Sequence, residues 1–330
     1  MPKNKKIIII ISAVVLILFF SFLCFLFLKA PASNSIKTDF EIKPQTSSSQ
    51  IATSLKEKNL IRSKWLFLIT KKLEKGKIDA GIYELSPSYN LLKTIDILTN
   101  NKIKENVVTF PEGFDIKDMA ERLQEKDIVK KDDFLQEASQ ITKYKTDFPF
   151  LLEVKTSNLE GYLFPDTYRL APNVTSYEII QKMLSDFNNR IDDNIRTEIT
   201  NQGKSLYDVI ILASIVEREA KKDEDRPIIA SVYLNRLAKN MNLEADPTIQ
   251  YTKGSWQPIT AKDYQAVDSP YNTYKNAGLP PGPITNPGLA SIKAVIYPAK
   301  TDYLYFFTDK NGNNIYSVTP EEHEQKQKEY

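Results

Sequence analysis

Two glutamates, Glu217 and Glu219, interrupt an apolar run that reads ILASIVEREA over residues 211–220. A carboxylic acid held among apolar neighbours has its charged form disfavoured by desolvation, and a protonated carboxyl near neutral pH is what general acid catalysis requires. On a helix of about 100° per residue, Leu206, Val209, Ile210, Ala213, Val216 and Ala220 share one stripe and Glu217 falls inside it. Glu219 projects to the opposite side with Arg218 and Lys222, and reads as a helix-surface acid. Glu217 is therefore the candidate general acid, with the small Ala213 and Ala220 leaving room beside it. The plain alternative is a structural ion pair with Arg226 or Arg236, because buried acids are rare unless paired. Projection leaves both readings open.

Three clusters mix aromatics with hydrogen-bonding side chains: EGYLFPDTY (160–168), EADPTIQY (244–251) and SPYNTYKNAGLPPGPITNPG (269–288). Aromatic faces can stack on the apolar faces of sugar rings while acids and amides take the hydroxyls. The candidate binding residues are Glu160, Tyr162, Asp166, Tyr168, Asn235, Arg236, Asp246, Gln250, Tyr271 and Asn272. Each cluster also has a structural reading, a Pro-Asp turn with core aromatics or a rigid Pro-rich loop. His323, among Glu321, Glu322 and Glu324, reads as a solvated surface residue.

The elements that must hold these residues follow from periodicity and caps. Ser205, with Asp208 three residues on, opens the Glu217 helix. Pro227 starts the next one, and Asn286-Pro287 reads as cap and first turn of a helix that stops before Pro298. YLYFF and IYSV flank Asn311-Gly312 as a hairpin, and Thr319-Pro320 opens a closing charged helix. Residues 252–286 show little periodicity, and a loop of that length rich in Tyr and Pro reads as functional rather than disordered. Upstream, IATSLKEKNLI (51–61) echoes MAERLQEKDIV (119–129), each after a short β-like segment, which reads as a duplicated βα unit. The class is α+β.

Composition narrows the chemistry. The chain has 330 residues and a net charge of +2, so no concentrated basic character points to nucleic acid. One cysteine, Cys24, excludes an intrachain disulfide and a Cys-based metal site, and one histidine excludes a His-rich zinc site. No Gly-rich phosphate loop is present. Chemistry here must run on carboxylates, hydroxyls, amides and aromatics.

The N-terminus predicts location. Residues 7–28 form an uninterrupted apolar run, about 33 Å as a helix, preceded by Lys3, Lys5 and Lys6. The run is too long for a secretory h-region, which favours a retained anchor over a cleaved signal peptide. The expected organisation is a cytoplasmic tail (1–6), a transmembrane helix (7–28), a tether and small module (29–104), and a catalytic domain (105–330). The protein is then a single-pass cell-membrane protein with a cytoplasmic N-terminus and its catalytic domain on the outer side.

LEGYLFPDTY (159–168), LASIVEREA (212–220), VYLNRL (232–237), LEADPTIQY (243–251), SPYNTYKNAGLPPGPITNPG (269–288), YLYFF (303–307) and YSVTPEEH (316–323) together resemble the YceG-like (MltG-type) endolytic murein transglycosylases. They occur in the family's order, and the preceding module is similar to LysM domains. The resemblance implies cleavage within nascent peptidoglycan strands, between N-acetylmuramic acid and N-acetylglucosamine, without metal or organic cofactor. It implies peptidoglycan synthases as partners, and the first glutamate of the IVExE block, here Glu217, as the catalytic residue. NGNNIYS departs from the family's usual histidine-containing approach to its block, which puts in doubt a substrate role for that hairpin.

One carboxylate suffices for such a reaction. It protonates the glycosidic oxygen and then, as a base, takes the proton from the muramic acid C6 hydroxyl, which closes a 1,6-anhydro ring. Hydrolysis needs a second acid, for which Glu160, Asp166 and Asp246 are candidates. A non-catalytic glycan-binding or scaffold protein is the third reading.

Overall fold

The computed structural model describes residues 14, 15, 18, 28–33, 35–43, 45–74, 76–100 and 105–330. The apolar run at 7–28 lies almost wholly outside them, and among the described residues no helix is long and apolar enough to cross a membrane. The chain divides into two compact units. One is Met1–Asn106 with Arg169–Asn173, and the other is Val107–Tyr168 with Val174–Tyr330.

In the first unit, strand β1 (Thr38–Ile42), helices α1 (Ser48–Glu57) and α2 (Lys64–Glu74), strand β2 (Gly81–Leu85) and helix α3 (Leu91–Thr99) follow in order. The strands pair antiparallel with Phe40 opposite Tyr83. Alternation sends Phe40, Ile42, Tyr83 and Leu85 inward, onto Ala52 and Leu55 of α1, Phe67 of α2 and Ile95 and Leu98 of α3.

Strands β3 (Asn106–Thr109) and β4 (Thr167–Leu170) form a second pair. The second unit is mainly helical: α4 (Ile116–Glu125), α5 (Lys131–Ala138), α6 (Ser176–Arg190), α7 (Asp193–Asn201), α8 (Leu206–Glu219), α9 (Arg226–Ala238), α10 (Asp246–Lys253), the short α11 (Ala261–Ala266) and α12 (Leu289–Ile296). Hairpin β5 (Tyr305–Thr308) to β6 (Asn314–Ser317) and helix α13 (Pro320–Glu329) close it. The class is mixed α+β.

The sequence echo is a structural echo in its caps. Ser47 with Gln50 boxes the start of α1, and Asp115 with Asp118 boxes the start of α4. Both helices then stop through a left-handed residue, Asn59 (φ 57°) and Asp127 (φ 52°), after which Leu60 and Ile128 return N–H bonds to Leu55 and Leu123.

Helix α8 begins as its cap predicts, with Ser205 Oγ accepting the Asp208 N–H at 3.0 Å. Its middle is buried on every side, with Tyr207, Ile211 and Ile215 as enclosed as Ile210, Ala213 and Val216, while Asp208 is exposed at its start and Arg218 and Glu219 are partly exposed at its end. Helices α9, α10 and α12 pack around it. This corrects the expectation of a solvent face for the middle of the helix, because a helix apolar all round is an interior helix, whereas Glu219 keeps part of its surface open. Helix α12 ends before Pro298 as expected but starts at Leu289, capped by Gly288 rather than Asn286. The hairpin turns at Asn311-Gly312, where Gly312 takes φ 82°.

Candidate active site

Glu217 and Glu219 leave the end of α8 into different surroundings. The Glu217 side chain is 5% exposed. Its Oε1 lies 3.1 Å from Arg226 Nη2, and its Oε2 accepts the Gly288 N–H at 2.9 Å. Both oxygens are engaged by fixed donors. Arg226 is in turn 3.8 Å from Glu112 Oε2, and burial, then the charge of Glu217, push the Glu112 carboxyl above its usual range against the pull of Arg226. The backbone is shaped for this contact: a Cβ on Gly288 would sit 1.9 Å from Glu112 Oε1. Of the two readings left open for Glu217, the geometry matches the ion pair with Arg226.

Glu219 lines a cleft of about 410 Å³ together with Tyr233, Arg236, Asp246, Tyr274, Tyr305 and His323. Its Oε1 accepts the Tyr233 O–H at 3.0 Å. Burial raises the Glu219 carboxyl to about 7; the Tyr233 hydrogen bond opposes that shift and the nearby charge of Asp246 adds to it. Here is a carboxylic acid that burial keeps protonated near neutral pH, oriented by one phenol and open to a ligand-sized, largely polar space, as a general acid requires.

The walls of the cleft are braced by the loop before α12. Asp246 Oδ1 accepts the Tyr274 O–H at 2.5 Å, and Tyr274 stacks on Tyr264 with centroids 4.2 Å apart. Arg236 donates to the Leu243 carbonyl at 2.9 Å, pairs with Glu244, and faces the Tyr305 ring. His323 is half-buried against Tyr305 and Phe307 rather than solvated, and burial, then the charge of Arg236, lower its imidazole.

Of the predicted binding residues, only Arg236 and Asp246 line this cleft. Asn235 donates to the carbonyls of Thr301 and Tyr303 at 2.8 and 3.0 Å, and so holds the strand into the hairpin. Asn272 is fully buried and ties Val267 and Tyr264. Gln250 donates to Gln257 O, and Tyr271 packs on Tyr251 with centroids 5.2 Å apart. The aromatics and Glu160 of the first cluster are interior. Tyr162 packs on Phe150 and Phe187, and Tyr168 donates to Phe164 O at 2.7 Å, leaving neither ring a face for a sugar. Asp166 pairs with Arg190 at 2.6 Å. Glu160 is enclosed at the start of α4, where it accepts the Ile116 N–H at 3.2 Å; burial, then the charge of Asp115, push its carboxyl well up.

Asn286 connects these parts. Its Oδ1 accepts the N–H groups of Gly161 and Leu163, both at 2.9 Å, and its Nδ2 donates to Glu160 Oε1 at 2.9 Å and Phe114 O at 3.1 Å. Its backbone accepts from Gly113 and donates to Phe114. Asn286, Glu112 and Tyr233 were not singled out for the site in the sequence. The available signal was polar residues in short Pro/Gly-flanked blocks, PEG at 111–113 and NPG at 286–288. Among the described residues no cluster of His, Cys, Asp and Glu has metal-holding geometry.

Comparison with known proteins agrees with this architecture. A model of the YceG-like family matches residues 40–329. The endolytic murein transglycosylase of Bacillus subtilis (strain 168) is 36% identical over 317 residues, covering 91% of this chain and 87% of that protein. The endolytic murein transglycosylase of Streptococcus pneumoniae serotype 2 (strain D39 / NCTC 7466) is 32% identical over 300 residues, 83% of this chain and 54% of its own length. A crystal structure of a putative YceG-like protein from Listeria monocytogenes superposes with a TM-score of 0.62 at 37% identity, covering 88% of this chain and 99% of that one.

Proposed function

The chain belongs to the YceG-like family, and from that premise we propose that it cleaves glycan strands of peptidoglycan as an endolytic lytic transglycosylase with Glu219, rather than Glu217, as its acid and base. The observation that carries the choice is position: Glu219 faces the cleft, whereas Glu217 is enclosed between Arg226 and the Gly288 N–H. Protonated Glu219 gives its proton to the glycosidic oxygen as the bond from C1 of the muramic acid breaks. The C6 hydroxyl of the same sugar then bonds to C1, and its proton passes to the Glu219 carboxylate. The acid is restored and a 1,6-anhydro end is left. The nucleophile belongs to the substrate, so effective molarity replaces a positioned water. Tyr233 fixes the carboxyl, and the ion pair of Arg236 with Glu244 stands in the cleft wall. No metal or organic cofactor takes part in this scheme.

The apolar run at 7–28 supports a single-pass anchor in the cell membrane, with the N-terminus inside and the catalytic unit outside. The β1-α1-α2-β2 order of the first unit supports the LysM-like reading. Peptidoglycan synthases are proposed partners on family grounds.

Digestion of peptidoglycan followed by mass measurement of the fragments tests the scheme. Anhydro ends, one water lighter than hydrolytic ends, are expected, and Glu219→Gln is expected to lose about 10²-fold or more in rate. Hydrolytic ends would instead assign Asp246, which shares the cleft, as a second carboxylate. Full cleavage by a folded Glu219→Gln variant, with none by Glu217→Gln, would return the acid to Glu217.

A further inference from the structure

Helix α2 reads KWLFLITKKLE and turns Phe67 fully into the core of the first unit. On the side away from Phe67, one turn apart, stand Trp65 (68% exposed), Ile69 (37%) and Leu73 (75%), a row of large apolar side chains on a helix whose other face is already satisfied. Lys72 lies at the margin of that row, while Lys64, which opens the helix, turns to α1 and donates to Thr53 Oγ1 at 3.3 Å. From Lys56 to Lys77 the sequence carries eight lysines and arginines against two glutamates. Single exposed apolar residues are ordinary, but an aligned Trp-Ile-Leu row with a lysine at its margin, in a segment rich in lysine and arginine, is the pattern of a helix lying in a lipid interface.

What covers the row follows from where the chain enters the unit. Leu28, the last residue of the apolar run, packs against the same core as α2. Arg62, two residues before α2, donates from Nε to the Ala30 carbonyl at 2.8 Å, and Ala32 donates to Pro87 O at 3.1 Å. The start of α2 is thus tied within a few residues of the point where an anchored chain leaves the bilayer. No long tether separates them.

We propose that α2 is an interfacial helix, docked through Trp65, Ile69 and Leu73 on the surface of the membrane that the N-terminal run enters, with anionic phospholipid headgroups facing Lys72. The inference rests on the anchor reading of residues 7–28. Trp65 is suited to the headgroup level, and such helices sink ~5–10 Å into the boundary. Docking holds the first unit flat against the lipid and fixes the height from which the chain continues outward.

The test uses the full chain with Trp256→Phe, which leaves Trp65 as the sole tryptophan. The protein is reconstituted into vesicles of phosphatidylglycerol and phosphatidylethanolamine, with and without lipids brominated on the acyl chain. Flotation with the vesicles and about twofold quenching of Trp65 by the brominated lipid are expected. Ile69→Lys with Leu73→Lys is expected to abolish the quenching while flotation persists. Flotation with unquenched Trp65 overturns the docking alone, including the case where its emission is blue-shifted because another protein copy covers the row. Failure to float overturns the anchor reading and the docking with it.

Discussion

At the scale of single residues, the two glutamates of α8 show how little a carboxylate's role depends on its distance along the chain. Glu217 meets a guanidinium and a backbone N–H, and Glu219 meets a phenol, an acid and open space. The neighbours of Glu219 pull in opposite directions, which gives a signed prediction. Asp246→Asn removes a charge that disfavours the carboxylate, so the alkaline limb of the pH–rate profile, expected near 7, moves down. Tyr233→Phe removes a hydrogen bond that favours the carboxylate, so the same limb moves up. Shifts of both variants in one direction would break the assignment. Stability carries the same signature. With the carboxyl raised in the folded state from 4.5 to about 7, the folded chain holds a proton that the unfolded chain releases, so stability falls as pH rises through that interval. Glu219→Gln lacks this loss, and its Tm relative to the parent is expected to increase between pH 4.5 and 7, as read by thermal melts.

Elements explain which part of this was legible beforehand. Caps and turns are local, and the starts at Ser205 and Thr319 and the turn at Asn311-Gly312 stand where sequence chemistry puts them. Burial is not local. Projection of α8 assumes one inner face, yet Tyr207, Ile211 and Ile215 are interior too, and on the side opposite Glu217 it is Glu219 that reaches the cleft. The aromatics of EGYLFPDTY carry no mark that separates a sugar platform from a core, and Tyr162 and Tyr168 are core. Asn286 looked like a helix cap because Asn-Pro is one, and its amide serves instead segments more than a hundred residues away. Asn286→Ala strips several buried hydrogen bonds at once and is expected to cost about 2–5 kcal/mol, measurable by denaturant unfolding. Gly288→Ala drives a methyl into the Glu112 carboxylate and is expected to lower Tm, with Glu112→Ala in the same chain restoring part of the loss.

For the whole molecule, the division into two units has an energetic reading. The core around Phe40, Phe67 and Tyr83 draws only on residues of the first unit, so each unit has the means of its own cooperative transition. Phe67→Ala is expected to cost the first unit about 3–5 kcal/mol. In calorimetry one transition should then move down while the other, and with it cleavage of soluble glycan, stays in place. A single transition that shifts as a whole would show the units to be energetically one.

The Asn286 junction also sets an order of events in biosynthesis. It joins residues 113–114, 160–163 and 286, and the last of these is made 126 residues after Glu160. At ~5–20 residues per second, Glu160 and the start of α4 wait on the order of 10 s for the amide that completes their hydrogen bonds. Over that interval α8 has been made but the loop that braces its cleft has not. The braced cleft is therefore among the last features the growing chain can complete, since its support waits for residue 286.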